Sequence, residues 1–185
     1  MRLFAAIPLH DVADSLKEIN KEFQDFSHCL KPVKENQFHL TLKFFGNLKS
    51  YDAEKVIETF DSWNGSVETF SADLKGLGVF PSFSQPSVIW AGLEDKGGSI
   101  EKIYKDCQNI FSSAGFEIDT RIFHPHLTLS RIKKNKHAPD DLKNLIKDYK
   151  DHLFSTLQVE HIILYESKLH SYGPEYSEIR KINFK

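Results

Sequence analysis

The sequence predicts a duplicated fold in which one order of strands and helices occurs twice. The tetrapeptide His-Leu-Thr-Leu is present at residues 39–42 and again at residues 126–129. The first copy begins 36 residues after Leu3, where a first strand starts, and the second begins 38 residues after Val88, where the order restarts. Each half therefore has the order strand, helix, His-Leu-Thr-Leu strand, helix, strand. Two such halves are expected to pack about a pseudo-twofold axis with the repeat strands facing each other.

The individual elements follow from hydrophobic spacing. Short apolar or alternating runs predict strands, and apolar residues three and four positions apart predict helices. In the first half these patterns predict a strand at 3–7, a helix at 10–26, a turn at 32–33, the first repeat strand at 38–45, a helix at 51–63 and a strand at 67–80. In the second half they predict a strand at 87–93, a helix at 100–114, the second repeat strand at 123–129, a helix at 140–149, and strands at 155–166 and 176–184.

The repeat strands carry the candidate catalytic residues. Side chains of a strand alternate between two faces, so His39 and Thr41 share one face, and His126 and Thr128 share one face in the second copy. The leucines between them point to the opposite side and are expected to be buried. Two imidazoles facing one site can act as general acid and general base, because the pKa of histidine is ~6.5. The threonine hydroxyls beside them are expected to face a ligand.

A metal site is the competing interpretation of the second repeat. His124 and His126 flank Pro125 and would share one face of a strand. Zinc sites use three or four ligands. No cysteine or carboxylate stands at ligand spacing from this pair, so the sequence favours acid–base chemistry without a metal.

Phe44 and Arg131 are the remaining candidates, and each lies five residues after the histidine of its repeat. An odd separation places a side chain on the opposite face from the histidine unless the strand bends or ends first. Arginine is seldom buried and suits contact with a phosphate or a base. Both repeats also have lysines nearby, at positions 31, 34, 43 and 49 in the first and at 133, 134 and 136 in the second.

The composition is that of an ordinary globular chain. It has 185 residues and a formal net charge of −2, so one domain, or two small lobes sharing an interface, is expected, and no general polyanion binding is indicated. Cys29 and Cys107 share no motif spacing, and we expect reduced thiols. The apolar runs are too short for a signal peptide or a membrane span. We expect a cytoplasmic monomer.

Beyond these patterns, the sequence resembles the two-histidine (2H) phosphoesterases, whose signature is a duplicated His-x-Thr-x motif. It is most similar to their RNA 2′,3′-cyclic phosphodiesterase branch, historically called 2′-5′ RNA ligases. The matching segments are residues 2–4, 6–7, 38–46, 77–81, 88–92, 123–131 and 165–167. The resemblance implies a bilobal α+β fold within residues 1–185, in which two antiparallel sheets face each other across a central cleft with helices outside.

The resemblance also implies roles for the candidate residues. His39 corresponds to the proton donor and His126 to the proton acceptor of a metal-independent reaction that needs no cofactor. Thr41 and Thr128 correspond to residues that bind phosphoryl oxygens. Arg131 corresponds to a contact with the nucleotide or phosphate, and Phe44 to a ring that stacks on the base.

The implied activity is hydrolysis of RNA ends or small cyclic nucleotides that carry a 2′,3′-cyclic phosphate, giving 2′-phosphomonoesters. The same residues permit the reverse joining of RNA ends through a 2′-5′ linkage. The alternative from another class is a non-catalytic module that binds nucleotides or RNA on the same fold. Both motifs are intact here, which favours an enzyme.

Overall fold

The structure, a computed structural model, describes residues 1–63, 67–171 and 173–185. Within these residues the chain forms nine strands, four α-helices and three short 3₁₀ helices. The strands are β1 Arg2–Pro8, β2 Leu30–Pro32, β3 His39–Asn47, β4 Phe70–Phe80, β5 Val88–Glu94, β6 His126–Ile132, β7 Leu153–Val159, β8 His161–His170 and β9 Gly173–Asn183. The α-helices are α1 Lys17–Gln24, α2 Ser50–Asp61, α3 Ser99–Ser113 and α4 Asp140–Asp148.

The strands form two antiparallel sheets that share a four-strand arrangement, and the second sheet has β2 as an additional edge strand. The first sheet is β3-β1-β8-β9 and the second is β2-β6-β5-β4-β7. Each repeat strand, β3 or β6, lies beside the first strand of its own half, β1 or β5. On the other side of β1 and β5, the two halves exchange strands. Strand β8 of the second half pairs with β1, and β4 of the first half pairs with β5. The duplicated α+β fold is therefore confirmed, with each half contributing strands to both sheets.

Helices cover the outer faces of the two sheets. Helix α3 packs on β3 and α2 on β9, whereas α4 packs on β4. The 3₁₀ turns His10–Val12 and Asp14–Leu16 contact β7. The leucines of both repeats face this core and are fully buried, each with at most 2% of its surface exposed (Leu40, Leu42, Leu127 and Leu129). Burial of one such side chain stabilises the fold by about 1.5–3 kcal/mol. Because the leucine face of each repeat strand is buried in this way, the opposite face is directed toward the space between the sheets.

Three sequence predictions of local structure are wrong. The predicted helix at 10–26 is two 3₁₀ turns followed by the short helix α1, and the predicted turn at 32–33 includes the end of edge strand β2. The predicted strand at 155–166 is two strands that belong to different sheets, with Glu160 between them. That segment has no glycine or proline, so its hydrophobic pattern gave no sign that the chain crosses from one sheet to the other.

The described part of the chain contains no helix that is both long and apolar enough to cross a membrane. Cys29 and Cys107 are both buried and free of disulfides. Burial raises the pKa of the Cys107 thiol to about 12. These thiols are therefore core side chains and do not face the space between the sheets.

Candidate active site

A bulge in β3 brings Phe44 to the same face as His39. Thr41 and Lys43 pair with successive residues of β1, so Leu42 is an extra residue in the ladder. An extra residue of this kind, a β-bulge, shifts the alternation of side chains by one. Two neighbouring residues, Leu42 and Lys43, are consequently both buried, and Phe44 emerges 50% exposed on the histidine side.

The second repeat has the same bulge at the same place. Thr128 and Ser130 pair with successive residues of β5, and Leu129 is the extra residue. The burial pattern along β6 repeats that of the first seven residues of β3, with Leu129 and Ser130 both buried and Arg131 exposed. Arg131 therefore shares a face with His126. The strands do not end before these residues, so the bulge, and not a strand end, resolves the odd spacing.

A buried lysine stabilises the bulge of β3. Lys43 Nζ donates hydrogen bonds to Gln108 Oε1 at 3.0 Å and to the Glu117 carbonyl at 2.5 Å. Gln108 Nε2 in turn donates to the carbonyl of Leu42 at 3.0 Å. Burial lowers the pKa of Lys43. This lysine, one of the basic residues around the first repeat, therefore faces helix α3 and not a substrate.

The two histidines make matching hydrogen bonds to the backbone. Nδ1 of His39 lies 2.6 Å from the carbonyl of Gln37, and Nδ1 of His126 lies 2.6 Å from the carbonyl of His124. A carbonyl only accepts hydrogen bonds, so Nδ1 carries the proton in both rings and Nε2 is left to exchange one. The two imidazoles are thus held in the same orientation and tautomer, each with its reactive nitrogen free of backbone.

Aromatic rings hold each imidazole in place. Phe4 and Tyr176 lie against His39, with ring centroids 5.0 and 5.5 Å away. Phe80 lies 4.9 Å from His126 in an edge-on arrangement. Such contacts restrict ring rotation and exclude water from the imidazole faces. Both general acid–base candidates are therefore pre-oriented in the unliganded protein.

Burial makes both histidines weaker bases than free histidine. It lowers the pKa of His39 to about 4 and lowers the pKa of His126 in the same direction. The positive charge of Arg131 contributes to the lowering in both cases. His39 lies deeper in the protein than His126. Both imidazoles are neutral in the empty site at neutral pH, and a bound phosphate, as a nearby negative charge, raises the pKa of both.

All six candidate residues line one cleft between the two sheets, with a volume of about 410 Å³. They are His39, Thr41, Phe44, His126, Thr128 and Arg131. In the described part of the chain, no hydrogen bond to another residue engages the hydroxyl of Thr41 or Thr128. These hydroxyls are available to a ligand. The cleft is of the size that small-molecule and nucleotide sites occupy.

Charge is distributed unevenly around this cleft. Arg2, Lys31 and Arg131 line it, and no Asp or Glu among the described residues does. The chain as a whole is slightly acidic, with a net charge of −2. The site therefore attracts an anion that the overall composition does not indicate. Of the other lysines near the repeats, those at 49, 133, 134 and 136 are not among the described residues that line the cleft.

Cleft residues that have no role in the sequence prediction include Arg2, Gln37 and Tyr176, and Lys31 is named there only as one of the lysines near the first repeat. Tyr176 comes from β9, at the opposite edge of the first sheet from β3. Its ring reaches His39 beside Phe4 of β1, whose ring lies 4.9 Å from Tyr176 and 5.0 Å from His39. Only the packing of side chains across the sheet reveals this proximity, since the two residues are far apart in sequence and lie on opposite edge strands. Lys31 reaches the site on β2, a short edge strand where the sequence predicted only a turn at 32–33.

The structure does not favour the metal interpretation of His124 and His126. His124 acts through its backbone carbonyl, which accepts the hydrogen bond from His126 Nδ1. Among the residues described, no group of three His, Cys, Asp or Glu side chains is arranged to hold a metal ion. The second histidine of that pair therefore belongs with His39, across the cleft.

Comparison with known proteins agrees with this geometry. A family model described as the AKAP7 2′5′ RNA ligase-like domain matches residues 4–184. A protein of Methanocaldococcus jannaschii named RNA 2′,3′-cyclic phosphodiesterase is 34% identical over 185 residues, covering 98% of this chain and 99% of that protein. A protein of the same name from Aeropyrum pernix is 33% identical over 153 residues, covering 83% and 85%.

Solved structures share the whole fold. A crystal structure of a Thermus thermophilus protein superposes with a TM-score of 0.81 at 27% identity, covering 100% of this chain and 98% of that one. Escherichia coli LigT in complex with 3′-AMP superposes with a TM-score of 0.73 at 20% identity, covering 99% and 97%, and shows likeness of fold alone. The chain belongs to the AKAP7 2′5′ RNA ligase-like domain family, within the two-histidine phosphoesterases.

Proposed function

We propose that the protein is an RNA 2′,3′-cyclic phosphodiesterase that opens cyclic phosphate ends to 2′-phosphomonoesters. The observation that carries the proposal is the matched pair of imidazoles that line one positively charged cleft. In each imidazole Nδ1 is hydrogen-bonded to a backbone carbonyl, which leaves Nε2 for proton transfer. Two relatives, 33% and 34% identical to this chain, bear the name of this activity. An acid and a base on opposite sides of phosphorus are what in-line opening of a cyclic diester requires.

In the proposed reaction, His126 Nε2 removes a proton from a water molecule, which attacks phosphorus. The bond from phosphorus to the 3′ oxygen breaks, and protonated His39 gives its Nε2 proton to that oxygen. The products are a 2′-phosphomonoester and a free 3′ hydroxyl. The family resemblance assigns acid and base. The shallower position of His126 supports the assignment, because the base has to meet a water molecule from solvent.

The remaining candidates act on the phosphoryl group and the base. The hydroxyls of Thr41 and Thr128 donate hydrogen bonds to the non-bridging oxygens, and the Arg131 guanidinium offsets their negative charge. Phe44 offers an exposed ring on the same face of β3. A nucleobase stacks on such a ring with about 1–3 kcal/mol of stabilisation. The reverse reaction, which joins ends through a 2′-5′ linkage, uses the same groups, but water in excess favours hydrolysis.

Turnover in the presence of a chelator tests this proposal. With adenosine 2′,3′-cyclic phosphate and excess EDTA, we expect hydrolysis at an unchanged rate and adenosine 2′-monophosphate as the product. Chromatographic separation of the 2′- and 3′-monophosphates measures both points. Loss of activity in EDTA that added divalent cations restore would show a metal-dependent reaction. Tight binding of the cyclic nucleotide without turnover would instead establish the non-catalytic module.

A further inference from the structure

Two cations of the cleft are not needed for a single cyclic phosphate. One cyclic phosphodiester carries one negative charge, and Arg131 with the two threonines already meets it in the proposed reaction. Arg2 and Lys31 also line the cleft. In the described part of the chain neither of them forms an ion pair with a carboxylate. The excess of positive charge therefore points to a ligand with more than one phosphate.

Arg2 packs on Phe44, and its Nε has no hydrogen-bond partner among the described residues. Its guanidinium lies over the ring of Phe44, with the central carbon 4.8 Å from the ring centroid. Its Nε is buried and unpaired among the described atoms. A buried donor without an acceptor costs about 1–3 kcal/mol. An anion bound beside Phe44 meets a guanidinium whose charge no carboxylate of the described residues offsets.

Lys31 is placed beside a like charge. It pairs directly with Arg131 across the β2–β6 ladder, and both side chains are exposed at the cleft. Like charges opposite each other on neighbouring strands destabilise a sheet. Arg131 binds the cyclic phosphate in the proposed reaction, and Lys31, one strand closer to the edge of the sheet, is left for a second anion. The β2 edge strand thus carries a cation to the rim of the active site at a cost that a bound phosphate offsets.

One of the two unused cations, Arg2, lies toward one end of the cleft. Along β3, His39 pairs with Pro8 at one end of β1, whereas Phe44 pairs with Phe4 near the start of that strand, next to Arg2. At ~3.4 Å per residue, the backbone of Phe44 lies on the order of 15 Å from that of His39. One phosphate does not bridge this separation, but a nucleotide with its flanking phosphate does.

We propose that Arg2 and Lys31 form a second phosphate subsite, which binds the phosphodiester on the 5′ side of the terminal nucleotide. The inference rests on the proposed function and specifies its substrate as an RNA strand of at least two nucleotides. The terminal base stacks near Phe44, the cyclic phosphate lies between the histidines, and the strand leaves the cleft past Arg2. A cyclic mononucleotide fills only part of this site.

Three substrates test the subsite, namely adenosine 2′,3′-cyclic phosphate, the dinucleotide ApA 2′,3′-cyclic phosphate, and the same dinucleotide with a neutral methylphosphonate linkage. We expect kcat/KM to be about tenfold higher for the dinucleotide than for the mononucleotide, because one charge-assisted contact is gained. The neutral linkage abolishes this preference although the second nucleoside is retained. The dependence of log kcat/KM on log salt concentration is steeper for the dinucleotide by about 0.7 per phosphate contact.

Variants locate the effect. Arg2→Gln and Lys31→Gln should each reduce the dinucleotide-to-mononucleotide ratio toward one, whereas Lys102→Gln, which removes a charge from the exposed face of α3, leaves the ratio unchanged. Lys31 is exposed, so Lys31→Gln is expected to fold. If Arg2→Gln disturbs folding, the substrate ratio of Lys31→Gln tests the subsite. A wild-type ratio near one, or a ratio that both variants and the neutral linkage leave intact, overturns the subsite. Failure of the wild type to hydrolyse any of the three substrates would contradict the proposed function instead.

Discussion

His39→Ala and His126→Ala are each expected to lower kcat by about 10²–10⁴-fold, the usual contribution of a positioned acid or base. Each replacement removes the Nε2 that moves a proton on one side of phosphorus. The double variant should be about as slow as the slower single variant, because groups that act in one step are not additive. Steady-state hydrolysis of a 2′,3′-cyclic nucleotide measures both effects.

A matched control separates chemistry from folding. His28→Ala removes an exposed histidine that is not among the described residues of the cleft, and its rate should equal that of the wild type. Thermal unfolding of all variants should remain cooperative, because His39 and His126 contribute only part of their surface to the core. Retention of most activity in either active-site variant would remove that histidine from the mechanism.

Arg131→Gln is expected to produce the second largest effect, a fall in kcat/KM of about 10²-fold, comparable with the loss of one oxyanion donor. It has a second consequence that a structural residue lacks. Because the charge of Arg131 lowers the pKa of both His39 and His126, its removal should raise both values and move the pH–rate profile to higher pH. Arg131→Lys keeps a positive charge but loses the planar fork of donors. Its kcat/KM should therefore lie between that of the wild type and that of Arg131→Gln.

The matched control for this variant is Arg180→Gln. Arg180 pairs with Asp61 of α2 at 3.1 Å, on the outer side of the first sheet. Loss of that charge should change neither kcat/KM nor the pH profile. If Arg131→Gln reduced activity with an unshifted profile, its charge would not act on the histidines. If it left activity intact, the arginine would have no part in phosphate binding.

The sequence determined much of the fold because local pattern and tertiary structure agree for most elements. The strand before Pro8, the helices after the two repeats and α3 all lie within a few residues of their predicted positions. The prediction of one strand at 155–166 was wrong for a physical reason. Its apolar run serves two sheets in turn, and the choice of partner strand depends on β4 and β1, which are distant in sequence.

The site residues were predictable where side-chain alternation within one strand is enough to place them. The alternation within His-Leu-Thr-Leu places each histidine and threonine together without knowledge of the partner strand. Phe44 and Arg131 required the bulges at Leu42 and Leu129, which simple alternation does not contain. The contact of Tyr176 with His39 depends on side-chain packing beside Phe4 across the first sheet. Pairwise proximity between distant segments is the part that spacing alone does not supply.

The central claim, catalysis by two histidines acting as acid and base, is tested most directly by the pH dependence of kcat/KM. The free enzyme must hold a proton on His39, whose pKa burial lowers to about 4, and none on His126, whose pKa burial also lowers. We therefore expect a bell-shaped profile with both limbs below pH ~6.5 and a decline of about tenfold per pH unit above it. The limbs of kcat should lie at higher pH, because bound phosphate raises both pKa values. A profile of kcat/KM that stays flat from about pH 5 to pH 9, where a histidine pair must titrate, would contradict the account.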